Sequence, residues 1–191
     1  MSRRTAALVV GAAALLAALA VVWWSTAGRR AAPAPAGDEP VATGGGEMTT
    51  AELYFPSTSG WLAAETHELP AAASAEERAR QVAAALLAGP TEPGNVAPLG
   101  EGVALASLHL TAEGVVYVDL EAAQLASPPV SGSRGELLVV YSFVNSILAN
   151  VPEASGVVLM WNGSQRPTFA GHVDTTRPLP AERKWLAQGA G

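Results

Sequence analysis

Apolar residues run without a charge over positions 6–24, with Arg3 and Arg4 before them and Arg29 and Arg30 behind. A helix needs about 20 such residues to cross a bilayer core of about 30 Å, so this stretch has the length of a membrane span. Farther along, the apolar positions become periodic. Residues 51–55 read as a short aromatic strand stopped by Pro56, and 61–69 as a second strand after the turn residues Ser57-Thr58-Ser59-Gly60. Ala79, Val82, Ala83 and Leu86 recur at helical spacing. Ser74 and Glu77 form a capping box before them, and Gly89-Pro90 closes the helix behind them. Residues 103–110 and 115–120 predict a hairpin, with Val116 and Val118 on one face and Val115, Tyr117 and Asp119 on the other. Ser133 with Glu136 predicts a second capping box, opening a helix through Leu137, Val140, Val144, Ile147 and Leu148 that is apolar on more than one face. Residues 157–161 predict a strand, Asn162-Gly163 a type I′ turn, and 168–170 its partner strand.

The order is ββ-α-ββ-α-ββ in a single compact α+β domain. Tight turns between successive strands imply antiparallel pairing, with the helices on one sheet face. Four segments follow: a signal-anchor helix over 1–27, an Ala/Pro/Gly tether over 28–50, the folded domain over 51–180 and a tail over 181–191. The tether contains Gly44-Gly45-Gly46 and lacks the periodic apolar residues that offset chain-ordering entropy.

The first segment admits two readings. A cleaved secretory signal has an apolar core of about 7–15 residues and a small-x-small cleavage site, which Ser25-Thr26-Ala27 resembles. The run here is longer, and Trp23-Trp24 at its outer end suits a membrane–water interface. The expectation is an uncleaved single-pass anchor in the cell membrane, with the domain on the extracytoplasmic, periplasmic side.

Composition narrows the classes. Cysteine is absent, which excludes disulfides, thiolate metal sites, cysteine nucleophiles and a lipoprotein anchor. The formal net charge is −6 and Lys184 is the only lysine. The arginines of the domain are scattered, so no basic stripe exists for nucleic acid. Abundant Ala, Gly, Pro and Arg suggest a GC-rich bacterial genome.

Candidate chemistry is sparse. His67, His109 and His172 match no metal-ligand spacing, and no metal or cofactor is expected. Asp119 and Glu121 lie two apart at a strand end and could form an acid–base pair, although a carboxylate there more often caps a turn. His172-Val173-Asp174 could present an imidazole beside a carboxylate. No nucleophile elbow, phosphate loop or dinucleotide fingerprint occurs. The expectation is therefore a non-enzyme. Tyr54, Phe55 and Trp61 on the first hairpin are the candidate interaction residues, Trp61 most of all because it directly follows a turn.

The chain resembles the GerMN domain family of sporulation and germination proteins. The resemblance rests on Leu53-Tyr54-Phe55-Pro56, Leu86-Leu87-Ala88-Gly89-Pro90, Val116-Tyr117-Val118-Asp119-Leu120 and the closing Gly171-His172-Val173-Asp174 with Arg177-Pro178-Leu179. It implies a domain related to ring-building motifs of envelope assemblies, anchored to a membrane by a lipoprotein cysteine or one helix, and without known enzymatic activity. Relatives with tandem copies help build a sporulation channel; this chain carries one copy. Together these readings lead to a membrane-anchored domain that binds an envelope protein partner or self-assembles. The alternative is an enzyme or small-ligand binder acting on envelope material through Asp119, Glu121 or His172.

Overall fold

The computed structural model describes residues 47–187. The expected membrane helix and nearly all of the tether lie outside them. Among the described residues no helix is long and apolar enough to cross a membrane.

The elements are β1 (Met48–Pro56), β2 (Leu62–Pro70), α1 (Ala75–Ala88), β3 (Ala104–Leu110), β4 (Val115–Glu121), α2 (Gly132–Asn150), β5 (Gly156–Trp161) and β6 (Ser164–Gln165), followed by a 3-10 turn at Arg183–Trp185. This is the expected order. β1 and β2 form an antiparallel sheet of their own, and the other strands form a sheet in the order β3-β4-β5-β6. The two helices pack on each other, and each touches both sheets.

Two expectations are corrected. β4 and β5 run parallel, with Val116 beside Val157 and Val118 beside Leu159. Their connection carries a whole helix, α2, and such a crossover is what parallel neighbours need; only the tight-turn pairs are antiparallel. The strand expected at 168–170 is also displaced. β6 pairs right after the turn, Trp161 with Ser164 and Met160 with Gln165, while Thr168 makes only an isolated bridge to Asp174. Asn162 (φ 50°) and Gly163 (φ 76°) both take the left-handed conformation of a type I′ turn, which leaves no residues to spare before the partner strand.

The helix ends follow from local chemistry. Ser74 Oγ accepts from the Glu77 amide at 3.1 Å, and Glu77 Oε2 accepts in return from the amide of Ala73 at 2.8 Å. Gly89, at φ 96°, donates to the carbonyls of Ala85 and Leu86 and ends α1. α2 departs from expectation. It starts at Gly132 behind Ser131, and Ser131 makes no side-chain capping bond. Glu136 does not cap; it is turned fully into the protein.

The core is one cluster. Ala79, Val82, Ala83 and Leu86 of α1 and Val140, Phe143, Val144 and Ile147 of α2 meet Leu53 and Phe55 of β1 and Val116, Val118, Leu120, Val157 and Leu159 of the larger sheet. Each fully buried Val, Leu, Ile or Phe contributes roughly 1.5–3 kcal/mol, which makes this cluster the main source of stability. Gly156 is required by packing, because a Cβ there would lie 2.9 Å from Pro178 Cβ. That close approach lets Val157 and Leu179 exchange backbone hydrogen bonds at 3.0 and 2.8 Å.

The edge of β1 is closed by side chains. Asn150, Ser146 and Ser142 lie four apart on α2, so they form one stripe along the helix. Asn150 Oδ1 accepts from the Glu52 amide at 3.1 Å, and its Nδ2 donates to the Glu52 carbonyl at 2.7 Å. Ser146 Oγ accepts from the Tyr54 amide at 2.8 Å, and Ser142 Oγ donates to the Tyr54 carbonyl at 2.6 Å. Arg78 donates to the Thr50 carbonyl and Val96 to that of Pro56. The helix thereby does for β1 what another strand would do.

Candidate interaction surface

The three aromatic residues of the first hairpin have different fates. Phe55 is fully buried in the core and carries no contact surface. Tyr54 is half-buried. Its hydroxyl donates to Glu52, and its ring lines a shallow hollow with Asn145, Leu148, Arg183 and Leu186. Trp61 is 40% exposed.

Trp61 does not stand alone. The Arg134 guanidinium lies 4.5 Å from its ring centroid and 5.6 Å from that of Trp185. Arg134 is held there by donating from Nε and Nη2 to the carbonyl of Gly60. Gly60 sits at φ 81°, a conformation that glycine adopts at little cost, and this turn presents both the carbonyl and Trp61. Lys184 Nζ lies 5.1 Å from the Trp185 centroid, and Tyr141 stacks against Trp185 at 6.3 Å. The result is a surface cluster of two indoles, a phenol and two cations, assembled from the β1–β2 turn, the start of α2 and the C-terminal 3-10 turn. Among the described residues Arg134 and Arg183 have no carboxylate partner. The sequence singles out Trp61 as exposed but gives no sign of its neighbours Arg134 and Trp185, because nothing local links positions so far apart in the chain.

The polar candidates occupy other places. Asp119 Oδ1 accepts from the Gly163 amide at 2.9 Å and so fastens the β5–β6 turn to β4. Glu121 is exposed at the end of that strand. His172 Nδ1 lies 2.8 Å from Glu136 Oε2. No hydrogen bond or ion pair among the described residues joins Asp119 or Glu121 to His172.

Each histidine instead meets a glutamate: His67 with Glu65, His109 with Glu76 and His172 with Glu136. Each of these glutamates also takes backbone amides from a distant segment. Glu136 Oε1 accepts from Ala170 and Val173 at 2.7 and 2.9 Å, and Oε2 accepts from the His172 amide at 2.8 Å. Glu65 accepts from the Thr91 amide and hydroxyl at 2.9 Å, from the Glu92 amide at 3.2 Å and from Asn95 Nδ2 at 2.7 Å. Glu76 accepts from the Leu110 amide at 3.0 Å.

Burial pushes the Glu65 carboxyl up, but the hydrogen bonds from Asn95, Thr91 and His67 outweigh it and hold the group at about 2. Burial opposes ionisation of Glu136 as well, and the amides of Ala170, Val173 and His172 together with the His172 ring bring it below the usual carboxylate range. The Leu110 amide, aided by His109, does the same for Glu76. A carboxylate has about four acceptor positions. At Glu65 and Glu136 they are filled by the protein itself, so these groups act as clamps on the 91–95 and 170–173 loops. Among the described residues no group of acidic and histidine side chains is placed to hold a metal ion.

Comparison with known proteins bears on the fold and the family. No curated protein matches the chain. The solved structure of the tandem GerMN domains of the sporulation protein GerM from Bacillus subtilis is similar, with a TM-score of 0.57 and 19% identity over 76% of this chain. That match covers 51% of the tandem structure, so the chain spans about half its length. The first GerMN domain of the same protein, solved alone, is similar with a TM-score of 0.56 and 20% identity, over 71% of this chain and 98% of that one. At such identities the likeness is one of fold. The family described as Germane, sporulation and spore germination, matches residues 52–166. That match takes in both helices and every strand from Glu52 onward, more than half of the 191 residues, and the chain belongs to the Germane family.

Proposed function

We propose that the chain is a membrane-anchored, extracytoplasmic domain that works by contact, joining an envelope protein partner or another copy of itself. The observation that carries this reading is the Trp61–Arg134–Trp185 stack. Tryptophan and arginine are the residue types that dominate interface energetics, and here they are pre-assembled on the surface. A guanidinium held between two indoles and tied to the Gly60 carbonyl has already lost the side-chain freedom that docking would otherwise remove. The polar residues first considered for chemistry support the same reading: Asp119 and His172 are engaged in holding the chain together.

The anchor is read from the apolar run over 6–24 and its tryptophan pair. The protein is expected to keep Met1 or Ser2 and to stay with membranes through a carbonate wash. A mature form beginning at Gly28 in the soluble fraction contradicts the anchor. For the contact itself, cells are cross-linked and the anchored protein is recovered. Discrete cross-linked bands that fade with Trp61→Glu support the reading. Bands unaffected by that variant, or an enzymatic turnover lost with His172→Ala, contradict it.

A further inference from the structure

We infer that the outer edge of β2 is a self-pairing edge, on which a second copy of this chain adds its own β2, antiparallel and centred on Thr66. This goes beyond the contact reading above, which rests on the Trp61 stack: it names a separate surface and a second copy as its occupant.

The inference follows from where the sheet edges find their partners. Glu52 and Tyr54 turn their backbone groups away from β2 toward α2, as described. Their cross-strand neighbours are Thr66 and Ala64. In an antiparallel pair, opposed residues either both bond inward or both face outward. Ala64, Thr66 and, by the same alternation, Glu68 therefore face outward from β2. All three residues are exposed, and among the described residues their backbone groups meet no partner.

Other edges are treated differently. β1 is closed by α2, Arg78 and Val96. β3 is covered at Leu108 by Arg80 and at Leu110 by Glu76, and it is bulged between Leu105 and Ser107. β5 is covered by β6 and by Leu179. Open, regular edges invite another strand, and proteins commonly close or disrupt them. Among the described residues the β2 edge is neither bulged nor covered over these positions.

The ends of the open stretch fix the occupant. At one end the Leu62 carbonyl already accepts from the Ala187 amide at 2.7 Å. At the other end Pro70 has no amide hydrogen to give. Leu62 and Pro70 are equally far from Thr66, so the free stretch is symmetric about that residue. A twofold pair centred there matches Thr66 with Thr66 and Ala64 with Glu68, and it uses each free amide and carbonyl once. It also sets each Glu68 carboxylate opposite a methyl group. Sliding the pair one step toward Pro70 would set Ala64 opposite Pro70, which has no amide hydrogen to return, and one step further would bring two Glu68 side chains face to face. Sliding it the other way would require the Leu62 carbonyl that Ala187 occupies. So short an interface is weak in solution. Confinement of anchored chains to one membrane raises the effective concentration that populates it.

The test uses the full chain in lipid vesicles and exploits the absence of cysteine. In a hydrogen-bonded antiparallel pair the two Thr66 Cα atoms lie about 5.5 Å apart, within disulfide reach. Mild oxidation of Thr66→Cys is expected to give a disulfide-linked pair of copies, about tenfold more than Glu101→Cys on the exposed loop before β3. A second measurement needs no cysteine. Thr66→Pro removes an amide that β1 does not use, so the domain keeps its melting temperature within a few degrees. Photobleaching counts on the labelled chain are then expected to shift from two copies to one. Equal cross-linking at positions 66 and 101, or copy counts unchanged by Thr66→Pro, overturns the inference. Cross-linking of Thr66→Cys in cells to a different protein also overturns it, while leaving the contact reading in place.

Discussion

The Glu136 clamp and the Trp61 stack are built from similar materials and treated in opposite ways. At Glu136 a carboxylate is fully buried and meets three backbone amides and an imidazole, so no acceptor position is left for a ligand. At Trp61 a cation and two indoles gather at the surface, and Arg134 spends part of its fork on one carbonyl. The first region holds the chain to itself, and the second leaves a cation and indole surface at the exterior. A titratable cluster with a shifted carboxylate is often a sign of catalysis. Here the same sign arises from structural fastening.

The largest effect is expected from Glu136→Gln, which sets an amide NH2 group against three backbone donors that cannot turn away. A loss of about 3–5 kcal/mol in chemical denaturation is anticipated from several buried donors left without an acceptor. A loss below about 0.5 kcal/mol would mean that Glu136 is not a clamp. Glu65→Gln should cost somewhat less, about 2–3 kcal/mol, because hydroxyl and amide donors there can reorient. Its contribution also has a pH signature. The folded carboxyl sits near 2 against an ordinary value of 4.5, so its stabilisation is complete above about pH 5 and disappears as pH falls toward 2. Acid titration of the unfolding free energy should therefore be flatter over that window in Glu65→Gln than in the unaltered protein.

A smaller change tests the helix that closes β1. Ser146→Ala leaves the Tyr54 amide without its partner and should cost about 1–2 kcal/mol, measured by the denaturation midpoint. The smallest effect on stability belongs to the surface stack. Arg134→Ala removes cation–π contacts and a loop bond at an exposed site, worth about 0.5–1 kcal/mol. A larger loss would show that the stack is a structural fastening too, and would erase the contrast with Glu136.

The contrast was only partly visible in the sequence. The inward face of α1, Ala79-Val82-Ala83-Leu86, was legible because helical periodicity is local, and so was the alternation of Val116, Val118 and Leu120 in β4. In the sequence Glu136 has the position of a cap, because it follows Ser133 by three. The contrary signal was present: Glu136 shares helical spacing with Val139, Val140 and Phe143, and a lone carboxylate on an apolar stripe must find donors when buried. Glu65 stands opposite the buried Leu53, which becomes visible only once the β1–β2 register is known. Its partners lie on the loop after α1, set by tertiary packing. The parallel β4–β5 pair could have been inferred from the helix between them, whereas the meeting of Trp61, Arg134 and Trp185 depends on three remote segments and had no local trace.

The claim that this domain works by contact is tested most directly by recovering cross-linked complexes of the protein from cells that carry Trp61→Glu, Asp119→Asn, Glu121→Gln or His172→Ala. Folded protein is held at equal levels in all of them. The account predicts that Trp61→Glu removes the cross-linked species other than a pair of copies joined at β2, while the other variants leave them near the level of the unaltered protein. Retention of the complexes by Trp61→Glu, with their loss on changing Asp119, Glu121 or His172, would contradict it.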